Sequence, residues 1–152
     1  MVEQPKEMPG TAVPTAAVWL GGAGLLPFFG SAVVMLLGPA DMRELAEVAL
    51  LTYGAIILSF MGGCRFGLAA AGMGEGPDFS SLTLAVVPAL YAWIAAMIGG
   101  WVAMMLLAMA LLSLLAADIA LTRRGGAPLW WPRLRWPLTL GAVTALLIGA
   151  AA

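Results

Sequence analysis

The sequence predicts an all-α polytopic membrane protein, a bundle of about five transmembrane helices, and three observations lead there. Of 152 residues, 62% are hydrophobic and only 10% charged, where soluble domains carry about a quarter charged. The mean hydropathy of +1.00 makes lipid the expected solvent for most of the surface. A window of about 19 residues finds five apolar stretches, and one of them encloses Arg65, a charge that is costly at that depth and calls for a partner.

Residues 1–12 are polar, with Glu3, Lys6 and Glu7, and form the expected cytoplasmic amino terminus of a single transmembrane domain over 13–152. The first span, 13–37, lacks a strongly basic leader and a short uninterrupted core, so it is expected to be a retained helix and not a cleaved signal. Pro27 splits this span and Pro88 interrupts the third, 82–98. Proline inside a span frees a backbone carbonyl that neighbours or water must satisfy. Plain kinks are the simpler expectation, and broken helices in paired positions, as at transporter midplanes, the sharper one.

The second span, 45–71, carries Gly62, Gly63 and Gly67. Gly63, Gly67 and Ala71 make a small-xxx-small ridge that admits a close backbone. Packing within the bundle is the plainer reading and self-association the alternative. A Gly99-Gly100 turn leads to the fourth span, 101–121. The last, 138–152, has only about 15 apolar residues, short of the 17 to 25 of a crossing, unless Trp136 and Pro137 lie in the interface.

Orientation follows from positive charge, which stays on the cytoplasmic side during insertion. The 122–136 segment holds Arg123, Arg124, Arg133 and Arg135, four of the seven basic residues. It is expected inside, together with the amino terminus and the acidic 72–81 loop bearing Glu75 and Asp78. Five spans then place the carboxyl terminus in the periplasm.

The ionisable residues within or near the spans are Glu44, Glu47, Arg65 and Asp118. At about 1.5 Å per residue, Arg65 stands roughly 10 Å from the end of its span and Asp118 roughly 5 Å from the same side. The two are therefore a candidate intramembrane charge pair, with the arginine stem spanning the difference. Structural pairing is the plain reading, and a substrate or proton role the sharper. Glu47 reads as a solvated carboxylate near a helix start. Trp130, Trp131 and Trp136 interleave with Arg133 and Arg135 as an interfacial belt, indoles at headgroup depth and guanidinium groups on anionic lipid. Tyr53, Tyr91 and Trp93 are expected to pack between helices, the polar tips needing partners.

Several functions are disfavoured by composition. A net charge of -1 offers no basic field for nucleic acid. The chain has no histidine and one cysteine, Cys64, so the usual haem and zinc ligands and the usual general base are missing. No cofactor and no metal site are expected.

The blocks Trp19-Leu20-Gly21-Gly22-Ala23-Gly24-Leu25-Leu26-Pro27-Phe28 and Tyr53-Gly54-Ala55-Ile56-Ile57-Leu58-Ser59-Phe60-Met61-Gly62-Gly63, followed by Arg65-Phe66-Gly67, resemble a family of small multi-pass membrane proteins defined only as a domain of unknown function. Its members are bacterial, with a relative in animal mitochondria, and the similarity runs from about Pro14 to the last helix. Members often carry His-Trp-Gly where this chain has Arg65-Phe66-Gly67, so no histidine-dependent chemistry is implied. The resemblance implies five or so helices in the bacterial inner membrane and supplies no activity. The residues leave a non-catalytic accessory or assembly component, packed against a larger membrane complex or its own copies, ahead of a small permease or proton-coupled carrier. An enzyme stands last, because no carboxylate pair is concentrated within a span.

Overall fold

The computed structural model describes residues 11–74 and 76–152. Glu75 and most of the polar amino-terminal segment, with Glu3, Lys6 and Glu7, lie outside the described residues. The chain is built of helices α1 (Thr15–Ala23), α2 (Leu26–Leu37), α3 (Ala40–Ala70), α4 (Phe79–Ile98), α5 (Gly100–Arg123) and α6 (Trp131–Ala151). Among the described residues, five helical segments are long and apolar enough to cross a membrane, α1 and α2 together making the first.

The first span breaks at Gly24 and Leu25. Pro27 sits in the first turn of α2, where its missing N–H costs nothing because that turn has no intrahelical acceptor. The break leaves the Gly24 carbonyl in need of a donor, and the Tyr53 hydroxyl supplies one at 3.0 Å. The Tyr53 ring meets Phe28 edge to face at 5.0 Å, which ties the broken span to α3.

At 31 residues, α3 is about 46 Å long and overshoots a hydrocarbon core of about 30 Å. It starts at Ala40, five residues before the apolar run, so Asp41, Arg43, Glu44 and Glu47 all lie on its first turns. Asp41 in the first turn suits the positive end of the helix dipole, and Arg43 Nε donates to the Gly38 carbonyl at 3.2 Å, closing the end of α2. Glu47 is not the solvated carboxylate expected: its Oε1 accepts from the Gly100 amide at 3.0 Å and so caps α5. The turn preceding α5 needs φ of +69° at Gly99 and +64° at Gly100, backbone that glycine adopts without steric cost.

α4 is capped by Asp78, whose Oδ1 accepts from the Ser81 amide at 3.1 Å and whose Oδ2 accepts from the Ser80 hydroxyl. Gly62 and Pro88, noted separately in the sequence, meet here. A Cβ on Gly62 would come within 2.5 Å of the Ala85 carbonyl oxygen and 3.3 Å of the Pro88 ring. The bare backbone of α3 therefore admits the proline-bearing face of α4. Gly63 and Gly67 correct the expectation of internal packing, since a Cβ on either would meet nothing within 4 Å. One residue past Gly62 turns a side chain about 100° around the helix, out of the seam.

The last span is also corrected. α6 begins at Trp131, seven residues before the apolar run, with Pro132 in its first turn and Pro137 accommodated inside it. Its 21 residues give about 32 Å, enough to cross. The buried stripe Thr139, Ala142, Val143, Leu146 and Gly149 repeats at helical spacing.

α3 packs on α2, α4, α5 and α6, and the ring closes where α2 meets α6. The centre holds the fully buried Phe28, Leu50, Leu58, Met104, Leu107 and Leu146. Trp93, expected between helices, is 62% exposed on the outer face, as a lipid-solvated side chain would be.

Candidate functional site: a buried carboxylate between two arginines

On α5 the apolar stripe Met104, Leu107, Leu111 and Leu114 continues in register into Asp118 and Thr122, so the same periodicity that builds the core carries a carboxylate into it. Asp118 is 1% exposed. Arg65 Nη1 of α3 donates to its Oδ1 at 2.7 Å. Its Oδ2 accepts from Arg135 Nε at 3.1 Å and from the Trp131 indole N–H at 3.2 Å, both on α6. The Thr122 hydroxyl donates to the Asp118 backbone carbonyl at 3.0 Å. One carboxylate thus ties three helices.

The pair read from the sequence, Arg65 and Asp118, is in contact here, and two further residues join it. Arg135 and Trp131, expected in a headgroup belt, instead both point into the bundle, Arg135 only 4% exposed. The physical reason is where α6 starts. Positions 131, 135 and 139 fall on one face, continuous with the buried stripe below them. Reading that stripe backward through Thr139 was the available signal, and Pro137 obscured it. The cluster lies about 6–8 Å inside one end of the bundle, five residues from the ends of α3 and α5 and four from the start of α6.

Two arginines on one carboxylate leave a formal excess of one positive charge. Arg135 Nη1 approaches the Met61 sulfur, a weak acceptor. Among the described residues, Arg135 Nη2 and Thr139 Oγ1 are buried without a partner. Cavities flank the cluster. One of about 390 Å³ lies among α1, α2, α3 and α6 and is bordered by Arg135 and Thr139. Another of about 420 Å³ lies between α4 and α5, beside Arg65, Pro88 and Tyr91. A third of about 280 Å³ at the bundle end joins Arg65 and Arg124 to Ser80 and Ser81. Among the described residues no three histidine, cysteine, aspartate or glutamate side chains gather to hold a metal.

Five spans tied near one end by a charge network define the class: a polytopic helical membrane protein with a polar cluster buried between its helices. More specifically, the chain belongs to the family described as Protein of unknown function (DUF3429), whose model matches residues 13–151. It is similar to Transmembrane protein 69 of Xenopus tropicalis, 39% identical over 137 residues that cover 88% of this chain and 53% of that protein. The chain therefore spans about half the length of that relative. No solved structure matches it.

Proposed function

We propose that the protein is a non-catalytic accessory or assembly component of the bacterial inner membrane, held in lipid and packed against a larger membrane complex or against copies of itself. One observation carries the reading: Asp118, the membrane-buried carboxylate, has both oxygens taken by donors from α3 and α6. A carboxylate bound this way fastens helices together. On the outside, Gly63 and Gly67 leave a shallow strip on α3 that no other described residue covers, and small residues are where membrane helices let a partner's backbone approach.

The orientation that fits has the amino terminus and the α5–α6 connection in the cytoplasm and the carboxyl terminus in the periplasm. Arg123, Arg124 and Arg133 lie at one end of the bundle, while Asp41, Glu44 and Glu47 outnumber Arg43 at the other. That asymmetry supports positive charge retained inside; Arg135 no longer counts toward it, because it is buried.

Purification of tagged protein from its native membrane in mild detergent, with mass spectrometry of what stays bound, tests the reading. A stoichiometric partner, lost from Gly63→Leu/Gly67→Leu protein of unchanged stability, is the expected result. Wild-type protein free of any partner, a monomer, would contradict it. A small permease or proton-coupled carrier is the second reading, favoured by the cavities on either side of the cluster. It requires flux into liposomes that Arg65→Ala abolishes while the fold persists.

A further inference from the structure

The 390 Å³ cavity among α1, α2, α3 and α6 falls within the size range of small-molecule sites, roughly 300–1,000 Å³. Its walls are mostly apolar, aliphatic at Leu20, Leu25, Ile57 and Leu138 and aromatic at Phe28 and Phe60. Against these stand Arg135 and Thr139, both more than nine-tenths buried and each carrying a polar atom without a partner among the described residues. They are four residues apart on α6 and so share a face, one turn from each other. A buried polar group without a partner is costly, the more so when charged. The network behind them carries one uncompensated positive charge, which a low-dielectric surrounding disfavours without an anion.

A buried water would satisfy the two hydrogen-bonding atoms and leave both the charge and the aliphatic volume unanswered. The ligand that answers all three has one anionic acceptor group and one apolar chain. We propose that this cavity binds a free long-chain fatty acid, the carboxylate accepting from Arg135 Nη2 and the Thr139 hydroxyl and the chain lying along the aliphatic walls. α1 buries no residue of its own and packs chiefly on α6, which makes it the wall through which a chain enters from the bilayer.

The test uses the full chain in nanodiscs of zwitterionic phosphatidylcholine, titrated with palmitate labelled with ¹³C at the carboxyl. Wild-type protein gives a saturable carboxyl resonance, distinct from palmitate in empty discs and titrating at lower pH. Thr139→Val weakens binding about tenfold, the loss of one hydrogen bond to a charged group. Ala17→Trp, which fills the cavity from α1, abolishes it, and both variants keep the wild-type melting profile. Palmitate methyl ester fails to compete. The proposal is overturned if only the bulk resonance appears, if both variants bind as the wild type does, or if the ester competes equally. Displacement of palmitate by phosphatidylglycerol added to the discs would assign the site to a membrane phospholipid and overturn it too.

Discussion

At the scale of single residues, Asp118 is the group that both buried arginines and the Trp131 indole share. Removing one member of a buried, hydrogen-bonded charge network costs about 3–5 kcal/mol, because the remaining charges stay buried without compensation. Asp118→Asn is therefore expected to lose that much in a denaturant titration of reconstituted protein, since it leaves Arg65 and Arg135 facing each other across a neutral amide. Tyr53→Phe should cost about 1 kcal/mol by the same assay, leaving the Gly24 carbonyl at the helix break unpaired. Asp78 gives a pH signature outside the membrane. Hydrogen bonds from the Ser80 side chain, then from Ser81, lower its pKa from 3.8 to about 2. A carboxyl lowered on folding stabilises the folded form above its unfolded value and loses that contribution as pH falls through the folded one. Protection of the Ser81 amide from hydrogen exchange should thus hold from pH 7 to about 4 and fall as pH approaches about 2; loss already near pH 5 would contradict the cap.

At the scale of elements, the α3–α4 seam depends on Gly62. Gly62→Leu should destabilise by about 1–3 kcal/mol through overpacking against the Ala85 backbone, whereas Gly63→Leu, facing outward, should leave monomer stability unchanged; equal melting shifts for the two would contradict the seam. Most of the helices were legible because apolar length and turn residues determine them: the Gly99-Gly100 turn, the interruption near Pro27 and the apolar body of α3 all follow from sequence. Helix starts were not. α3 and α6 begin in charged or tryptophan-rich segments that hydropathy alone assigns to the interface, five and seven residues before their apolar runs. The same blind spot hid half the site. Asp118 and Arg65 stand out as charges in apolar surroundings, but Arg135 and Trp131 read as part of a headgroup belt, because hydropathy does not show that α6 carries them beneath the surface. The Glu47 cap was hidden for a different reason: its partner is a backbone amide 53 residues away, and no side-chain pattern marks such an acceptor's target.

At the scale of the whole molecule, charge divides the two ends, basic at the α5–α6 connection and acidic at the start of α3. The orientation this supports predicts that a single cysteine introduced as Arg124→Cys in a Cys64→Ala background reacts with an impermeant thiol reagent only from the cytoplasmic side, and Met42→Cys only from the periplasmic side; reversal of the two patterns would invert the assignment. Between those ends the buried network joins α3, α5 and α6, and its role as a lock has a distinctive consequence. Buried ion networks replaced whole by well-packed apolar residues often leave stability unchanged or raised, while loss of one member lowers it sharply. The most direct measurement is the melting temperature, in nanodiscs, of wild type, Asp118→Asn and the triple variant Arg65→Met/Asp118→Leu/Arg135→Met. A lock predicts a large drop for Asp118→Asn and recovery of most or all of it in the triple variant. An Asp118→Asn protein that melts at or above the wild-type temperature would show that the carboxylate does not hold the helices together.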